Sequence, residues 1–247
     1  TADGRSLMLD HRQWPGNAAG IIAVDIDPRS KKGVVHRAAA LEIRVDHLVY
    51  ATPDLAMTVA KITDEWGVVP TPGGRHDGRG TANELLALGG GAYLEIIGPD
   101  PEQPEPAMPR PFGVDDITEP QLITWAAAVP NLDLWLQWCA ARKLDPGPGF
   151  DMQRTTPAGD VLQWRLTLPP EDGDGLIPFL IEWPGETPAA TSATGVELFG
   201  LSFHHPGQRV AAHFREYALP YSVEPGPACM TATLLTPSGM VDLTSGS

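Results

Sequence analysis

The stretch that decides the fold is Val45–Pro99, which reads VDHLVYATPDLAMTVAKITDEWGVVPTPGGRHDGRGTANELLALGGGAYLEIIGP. It opens with Val45 to Thr52, whose partly alternating apolar residues are typical of a half-buried strand. It closes with a strongly apolar strand, Ala92 to Ile97. Between them, apolar residues at spacings of 4, 3 and 4 predict one buried face of an amphipathic helix: Leu55, Val59, Ile62 and Trp66.

The ends of this helix carry the expected signals. Thr52 is the predicted N-cap, Pro53 the first helical residue, and Gly67 the C-cap. The glycine-rich residues 73 to 80 are predicted to form a loop, and Glu84 to Leu88 a further strand. The predicted order is therefore strand, helix, strands.

The same plan recurs twice, in LITWAAAVPNLDLWLQWCAARKL from residue 122 and VELFGLSFHHPGQRVAAHFREYAL from residue 196. Aligning the prolines that start the three helices places three residues at one position: His47, Thr124 and Gly200. Aligning the last strands places three carboxylates together: Glu95, Glu182 and Asp242. Repeats of this length indicate units that must pair to bury their sheets. We predict an α+β fold of repeated βαβββ modules spanning residues 41–116, 117–190 and 191–247, the third degenerate.

Residues 1–40 differ from the rest, because they are locally basic and show no sustained periodicity. We interpret them as an N-terminal extension outside the core fold and in part disordered. His11 and His36 are expected to be solvent-exposed there.

The overall composition excludes several classes of function. A formal charge of −14 argues against nucleic acid and against anionic membranes. No apolar window approaches the ~18 residues of a membrane span, and no secretory signal is recognisable. Two cysteines, Cys139 and Cys229, are too few for a disulfide scaffold. We expect a cytoplasmic protein whose partner is a small molecule, and we leave a homodimer open.

His47 and Glu95 carry the chemistry that this plan suggests. In a βαβββ unit the first and last strands can be neighbours, so that an imidazole and a carboxylate project from one face. These are two ligands for a divalent ion, which would act as a Lewis acid on substrate oxygens. The structural alternatives are a hydrogen-bonded strand histidine and an ion-paired carboxylate.

The motifs DHLVYATPDL and YLEIIG resemble the vicinal oxygen chelate superfamily. Together with GGRHDGRGTAN, RTTPAGDVLQWRL and PFLIEW, they resemble its bacterial glyoxalase-like domain family. The resemblance covers residues 43 to 244 and implies paired modules that curve mixed sheets around a central cavity. It also implies one of several activities, from metal-dependent lyases, isomerases and dioxygenases to resistance proteins that only bind drugs.

Carried over by position, the resemblance makes His47, Glu95 and Glu182 the metal ligands, with Zn, Ni, Mn or Fe as the ion. Glu95 and Glu182 are also the catalytic candidates. Thr124 stands where a further His or Gln is expected, which leaves the fourth position to water or His76.

Five residues are candidates for substrate binding, each with a structural alternative. Arg75 and His76 suit ligand contact from a glycine-rich loop, or they face water beside a tight turn. Arg154 or Arg165 is a candidate clamp for a carboxylate, or pairs with the abundant acids. Trp125 is the candidate cavity wall among tryptophans that otherwise belong to the core.

Three functions remain open at this stage. The first is a metal-dependent enzyme of glyoxalase type that acts on a small oxygenated metabolite. The second is a metal-free protein that binds or sequesters a small molecule. The third is a metal-free enzyme that uses arginine and carboxylates alone.

Overall fold

The computed structural model describes residues 6–9, 23–26, 33–35, 43–156, 159, 161–170 and 173–246. The chain divides into two units, Thr1–Ile43 and Arg44–Ser247. In the first unit, three short strands pair antiparallel in chain order: β1 (Ser6–Leu9), β2 (Ala23–Ile26) and β3 (Gly33–Val35). The sequence predicted no strands in this segment. His11 and His36 lie outside the described residues.

The second unit begins with one complete module, which confirms the order of elements expected from the sequence. Its elements are β4 (Arg44–Ala51), α1 (Leu55–Trp66), β5 (Thr71–His76), β6 (Thr81–Ala87) and β7 (Tyr93–Pro99).

The second module repeats this order. Its elements are β8 (Gln121–Ala128), α2 (Leu132–Ala141), β9 (Phe150–Thr155), β10 (Val161–Leu166) and β11 (Phe179–Glu182). Short 3-10 helices precede and follow it at Pro111–Asp116 and Pro188–Ala190. The predicted hairpin is confirmed by the antiparallel pairing of β9 and β10; its turn residues 157 and 158 lie outside the described residues.

The two modules share one eight-stranded sheet in the order β5-β6-β7-β4-β8-β11-β10-β9. The first strands of the modules, β4 and β8, pair antiparallel at its centre, and each has the last strand of its own module as a parallel neighbour. The edge strands β5 and β9 contact each other, so the sheet curves around a hollow. This confirms the predicted fold class.

Helix α1 starts two residues later than predicted. Asp54 is the N-cap, because its side chain accepts a hydrogen bond of 2.9 Å from the amide of Met57. The hydroxyl of Thr52 is instead engaged by the amide of Asp54 and the hydroxyl of Thr58. Gly67, in the left-handed conformation with φ 74°, is the C-cap as predicted.

The glycine-rich stretch after α1 was predicted to be a loop, but its first half is the edge strand β5. Gly73 explains why a glycine is needed there. A Cβ atom at this position would collide with the side-chain oxygen of Asn83 and would lie 2.9 Å from Leu85 Cγ. The missing side chain therefore lets β5 lie close against the part of β6 that supports the site.

The third module keeps the element order but not the pairing of the other two. Its elements are β12 (Glu197–His204), α3 (Gln208–Glu216), β13 (Val223–Glu224), β14 (Cys229–Thr236) and β15 (Gly239–Thr244). They form a separate sheet in the order β13-β12-β14-β15. Its first strand thus has β13 and β14 as neighbours, whereas β4 and β8 each lie beside the last strand of their module.

None of the helices in the described ranges combines the length and the apolar character that a membrane span requires.

Candidate functional site

The candidate site lies on the inner face of the curved sheet, around a row of cross-strand neighbours. His47 pairs with Tyr93 on one side and Ala126 on the other, and Ala126 pairs in turn with Phe179. Residues paired directly across strands share a face. The His47 ring accordingly stacks on Tyr93 at 4.7 Å between centroids and meets the edge of Phe179 at 5.4 Å.

Asp46 orients the His47 ring through its Nδ1 atom. His47 Nδ1 lies 2.8 Å from Asp46 Oδ1, and the same oxygen accepts a 3.2 Å hydrogen bond from Trp183 Nε1. Because Asp46 accepts, the Nδ1 atom of His47 carries the proton, and Nε2 is the atom directed at the site. His47 Nε2 lies 3.7 Å from Glu95 Oε2.

Glu95 is the carboxylate around which the other polar groups converge. It is 7% exposed, and its Oε1 accepts a 2.5 Å hydrogen bond from Asn83 Nδ2. His76 Nε2 lies 3.8 Å from the same oxygen, while His76 Nδ1 is 2.9 Å from Thr81 Oγ1. An imidazole thus stands on each side of Glu95, and each ring is oriented by a hydrogen bond at its Nδ1.

The second module contributes a buried positive charge. Arg154 on β9 is only 8% exposed, and burial lowers its pKa, an effect that Glu95 and Tyr93 oppose. Burial likewise lowers the pKa of His76, which favours the neutral ring; Glu95 opposes this shift and Arg154 reinforces it. Burial raises the pKa of Tyr93 well above its ordinary value, and Asp46 and Glu95 add to the shift. The phenol is therefore neutral at physiological pH.

Several buried polar atoms of this region have no hydrogen-bond partner among the described residues: Asp46 Oδ2, Asn83 Oδ1, Thr124 Oγ1 and Arg154 Nη1. Thr124 pairs with Val49, which pairs with Glu95, so that all three share a row of the sheet. Because buried polar groups are normally satisfied, such a concentration of unpartnered atoms is typical of a place where a ligand or ordered water binds.

Glu182 does not join His47 and Glu95, contrary to the expected convergence. Phe179 and Ile181 belong to the apolar cluster of the inner face, so alternation turns Glu182 to the outer face. There its carboxylate accepts a 2.9 Å hydrogen bond from the amide of Leu132 at the start of α2, and it lies 3.7 Å from Arg165. It supports a helix terminus.

Arg165 and Arg75 are also occupied away from Glu95. Arg165 lies beside Glu182 and bonds to Asp133 at 2.9 Å and Asp151 at 3.0 Å. Arg75 pairs with Asp100 at 3.2 Å and with Glu102.

Trp125 does not line the hollow. It packs on the opposite face against aromatic residues that follow the second module, namely Phe203, Phe214 and Tyr221. Its indole nitrogen donates to the carbonyl of Leu176 at 2.7 Å. Of the five substrate-binding candidates, the structure thus places His76 and Arg154 beside Glu95, and Arg75, Arg165 and Trp125 elsewhere.

The predicted metal set does not fit this arrangement. Its third member, Glu182, is on the other face, and no group of three or more His, Cys, Asp or Glu side chains within the described part of the chain is arranged to hold a metal ion. Asn83 also directs an amide donor at Glu95, and Arg154 supplies a buried cation nearby. Both features favour a carboxylate that is satisfied without a metal.

Three contributors were not identified from the sequence. Asn83 belongs to the family-specific stretch GGRHDGRGTAN, but nothing in the pattern singled it out as the partner of Glu95. Asp46 adjoins His47 in the sequence, and Tyr93 stacks on the His47 ring. Their position beside a predicted strand histidine was the available signal, since such a ring needs a partner for its Nδ1.

Chemically, the arrangement is suited to proton transfer on the inner face of the curved sheet. The wall of the hollow is aromatic, formed by Phe112, Trp164, Phe179 and Trp183 around the apolar cluster. Glu95 is an acceptor positioned by Asn83, and the two imidazoles and Arg154 surround it with groups able to stabilise developing charge.

Comparisons with known proteins agree with this fold. The model of the glyoxalase-like domain family matches residues 45–218. Among solved structures, a hypothetical protein from Staphylococcus aureus is 16% identical, with 83% of this chain and 87% of that chain covered and a TM-score of 0.57. Methylmalonyl-CoA epimerase from Mycobacterium tuberculosis is 20% identical, with 57% of this chain and 88% of that chain covered and a TM-score of 0.40. No curated protein matches the chain.

The family match covers both modules of the curved sheet and includes the strands that carry His47, His76, Glu95 and Arg154. The chain therefore belongs to the glyoxalase-like domain family.

Proposed function

We propose that this protein is an enzyme that moves a proton on a small oxygenated metabolite, with Glu95 as the general base. The observation that carries the proposal is the environment of the Glu95 carboxylate, which is 7% exposed and lies 3.7 Å and 3.8 Å from the Nε2 atoms of His47 and His76. A buried carboxylate with this many oriented neighbours is more than a packing residue needs.

The roles of the residues follow from their contacts. Asn83 holds one oxygen of Glu95 and leaves Oε2 to take a proton from a carbon next to a carbonyl or hydroxyl group. Arg154 stabilises the oxyanion that forms when that proton leaves. Asp46 and Trp183 keep His47 oriented, and the Tyr93 ring supports it from one side. Isomerases and lyases of small carbonyl compounds use this chemistry.

Proton transfer predicts exchange with solvent, which needs no knowledge of the natural substrate. We would incubate the protein in D₂O with a panel of small hydroxy acids, 2-oxo acids and hydroxyketones, and follow carbon-bound hydrogen by proton NMR. Loss of a general base costs about 10²–10⁴ in rate, so Glu95→Gln should abolish exchange of any compound that the native protein turns over.

Glu182→Gln is the matched control, because Glu182 is also a carboxylate on the last strand of a module but lies on the outer face. It should leave the exchange rate unchanged. Equal exchange by native protein and Glu95→Gln, or no exchange of any panel compound by the native protein, would contradict the proposal.

A divalent ion is a second candidate, and the orientation of two imidazoles favours it. His47 and His76 both have their Nδ1 atoms hydrogen-bonded and their Nε2 atoms facing Glu95, which is how metal-binding histidines are commonly held. In this version His76 replaces Glu182 as the third ligand, and side-chain shifts must first bring the donors together. Elemental analysis of the protein, and of His47→Ala and His76→Ala, separates the two: a stoichiometric ion lost in both variants would establish the metal.

Binding without chemistry is the other alternative, and the aromatic wall of the hollow favours it. In that case compounds of the panel would bind the native protein and Glu95→Gln alike, and neither would exchange hydrogen.

A further inference from the structure

Arg154 is a buried arginine whose guanidinium is not fully hydrogen-bonded by the described residues. Its side chain comes from β9, is 8% exposed, and its Nη1 finds no hydrogen-bond partner among the described residues. A guanidinium has five N–H donors. Leaving a charged donor unsatisfied in a buried place is unfavourable, so a group outside the described residues is expected to complete it.

Asn83 presents the complementary feature on the other side of Glu95. Its Nδ2 donates to Glu95 Oε1 at 2.5 Å, and this contact fixes the orientation of the amide because a carboxylate oxygen accepts only hydrogen bonds. The amide oxygen, Asn83 Oδ1, then lies against Gly73 and is buried without a hydrogen-bond partner among the described residues. The site therefore offers one unused acceptor as well as one unused cationic donor.

We propose that the ligand of this site is a small hydroxycarboxylate whose carboxylate pairs with Arg154 and whose hydroxyl donates to Asn83 Oδ1. This inference rests on the proposed function for the location of the site, and it adds the class of the ligand. It satisfies both unpartnered atoms with one molecule held near Glu95, whose carboxylate accepts the hydrogen bond from Asn83 and whose charge acts on Arg154.

Charge strengthens the choice of a carboxylate over a neutral group. The chain carries a formal charge of −14, which disfavours anions at its surface. Arg154 differs from Arg75, Arg110 and Arg165, which are each paired with two or more acidic side chains. A buried arginine whose N–H groups are not all engaged by the described residues is well suited to receive an anion.

The test compares ligands that differ in one group. One set is lactate, lactamide and propionate; the other is mandelate, mandelamide and phenylacetate, whose ring suits the aromatic wall. Within each set, the amide removes the negative charge and the third compound removes the hydroxyl. Binding to the full chain would be measured by isothermal titration calorimetry and ligand-observed NMR.

We expect at least one hydroxy acid to bind, and its amide to bind at least about 10-fold more weakly, as befits a charge-assisted hydrogen bond. The acid without the hydroxyl should lose less, a few-fold. Arg154→Met should weaken binding of the hydroxy acid by about 10-fold or more. Arg154→Lys retains the charge but not the paired N–H donors of the guanidinium, and should weaken binding by less. Arg165→Met, at an arginine on the outer face, should bind as the native protein does.

The inference is overturned if neither hydroxy acid binds, if an amide binds as tightly as its acid, or if Arg154→Met binds unchanged. Circular dichroism and thermal melting establish that the variants are folded, and Arg154→Lys keeps the test decisive if Arg154→Met is unstable. Glu95→Gln separates this inference from the proposed function: retained binding of the hydroxy acid without exchange in any form of the protein would contradict the chemistry and leave the ligand class intact.

Discussion

Glu84 on β6 is partly buried, and removing its charge should stabilise the protein in a strictly pH-dependent way. It lies on the face opposite Asn83, paired across the sheet with Pro72 and with the fully buried Ile96. Neither neighbour has a side-chain hydrogen-bond donor. Burial raises the pKa of Glu84 from 4.5 to about 7.

The direction of the pH effect on stability follows from the ionisation of Glu84 in the folded and in the unfolded chain. Below pH 4.5 the carboxyl is protonated in both folded and unfolded protein, and it has no effect on pH dependence. As the pH rises towards about 7, the unfolded chain gains the ionised form more readily than the folded protein, so stability is lost. Each pKa unit corresponds to about 1.4 kcal/mol. With a discount for partial solvent access, the cost above the folded pKa is about 2–3 kcal/mol.

Glu84→Gln keeps the shape of the side chain and removes this cost. For a chain of this size, the melting temperature should rise by roughly 4–12 °C at pH 8 and should not change at pH 4. Differential scanning calorimetry across this range measures the effect, and Glu119→Gln at an exposed carboxylate is the control. A gain that is the same at pH 4 and pH 8, or no gain at pH 8, would refute the assignment of the cost to a partly buried ionised carboxylate.

Two further predictions concern groups outside the site. Burial raises the pKa of the Cys139 thiol to about 12, whereas Cys229 is partly exposed. A thiol reagent at pH 8 should therefore modify one cysteine in the native protein and both cysteines after denaturation. Rapid labelling of Cys139 in the native protein, located by mass spectrometry, would contradict its burial. Trp125→Ala removes the centre of the aromatic cluster with Phe203, Phe214 and Tyr221 and should lower the free energy of unfolding in urea by about 3–5 kcal/mol. Because Trp125 faces away from Glu95, the folded fraction should retain its ligand affinity. A selective loss of affinity would place this residue in the site.

The meeting of His47 and Glu95 could be predicted because it depends only on local order. In a βαβββ module the first and last strands are parallel neighbours, and β4 and β7 pair in this way. A histidine and a glutamate on these strands then need only share a face. The helices were predictable for a similar reason, since caps and apolar spacing act within a few residues of sequence.

The position of Glu182 could not be predicted in the same way, because it depends on strand register. The sequence aligns Glu182 with Glu95, but Phe179 and Ile181 face inward in the second module, so the carboxylate one position further along faces outward. A change of one residue in register reverses every side chain of a strand. Nothing in the alignment of YLEI with LIEW reveals such a change.

The position of Arg154 depends on the closure of the whole sheet. Its strand, β9, is separated from β7 by five strand spacings in the sheet, which in a flat sheet would be about 24 Å. Yet Arg154 acts electrostatically on both Glu95 and His76, and the edge strands β5 and β9 contact each other. Curvature is thus what brings the cation of the second module to the carboxylate of the first. Because the closure juxtaposes opposite edges, each module contributes a different kind of group: the first supplies the carboxylate and two imidazoles, and the second supplies the cation and part of the aromatic wall. A site divided in this way explains why the second module can lack both a histidine at Thr124 and an inward-facing Glu182 without the hollow losing its polar centre.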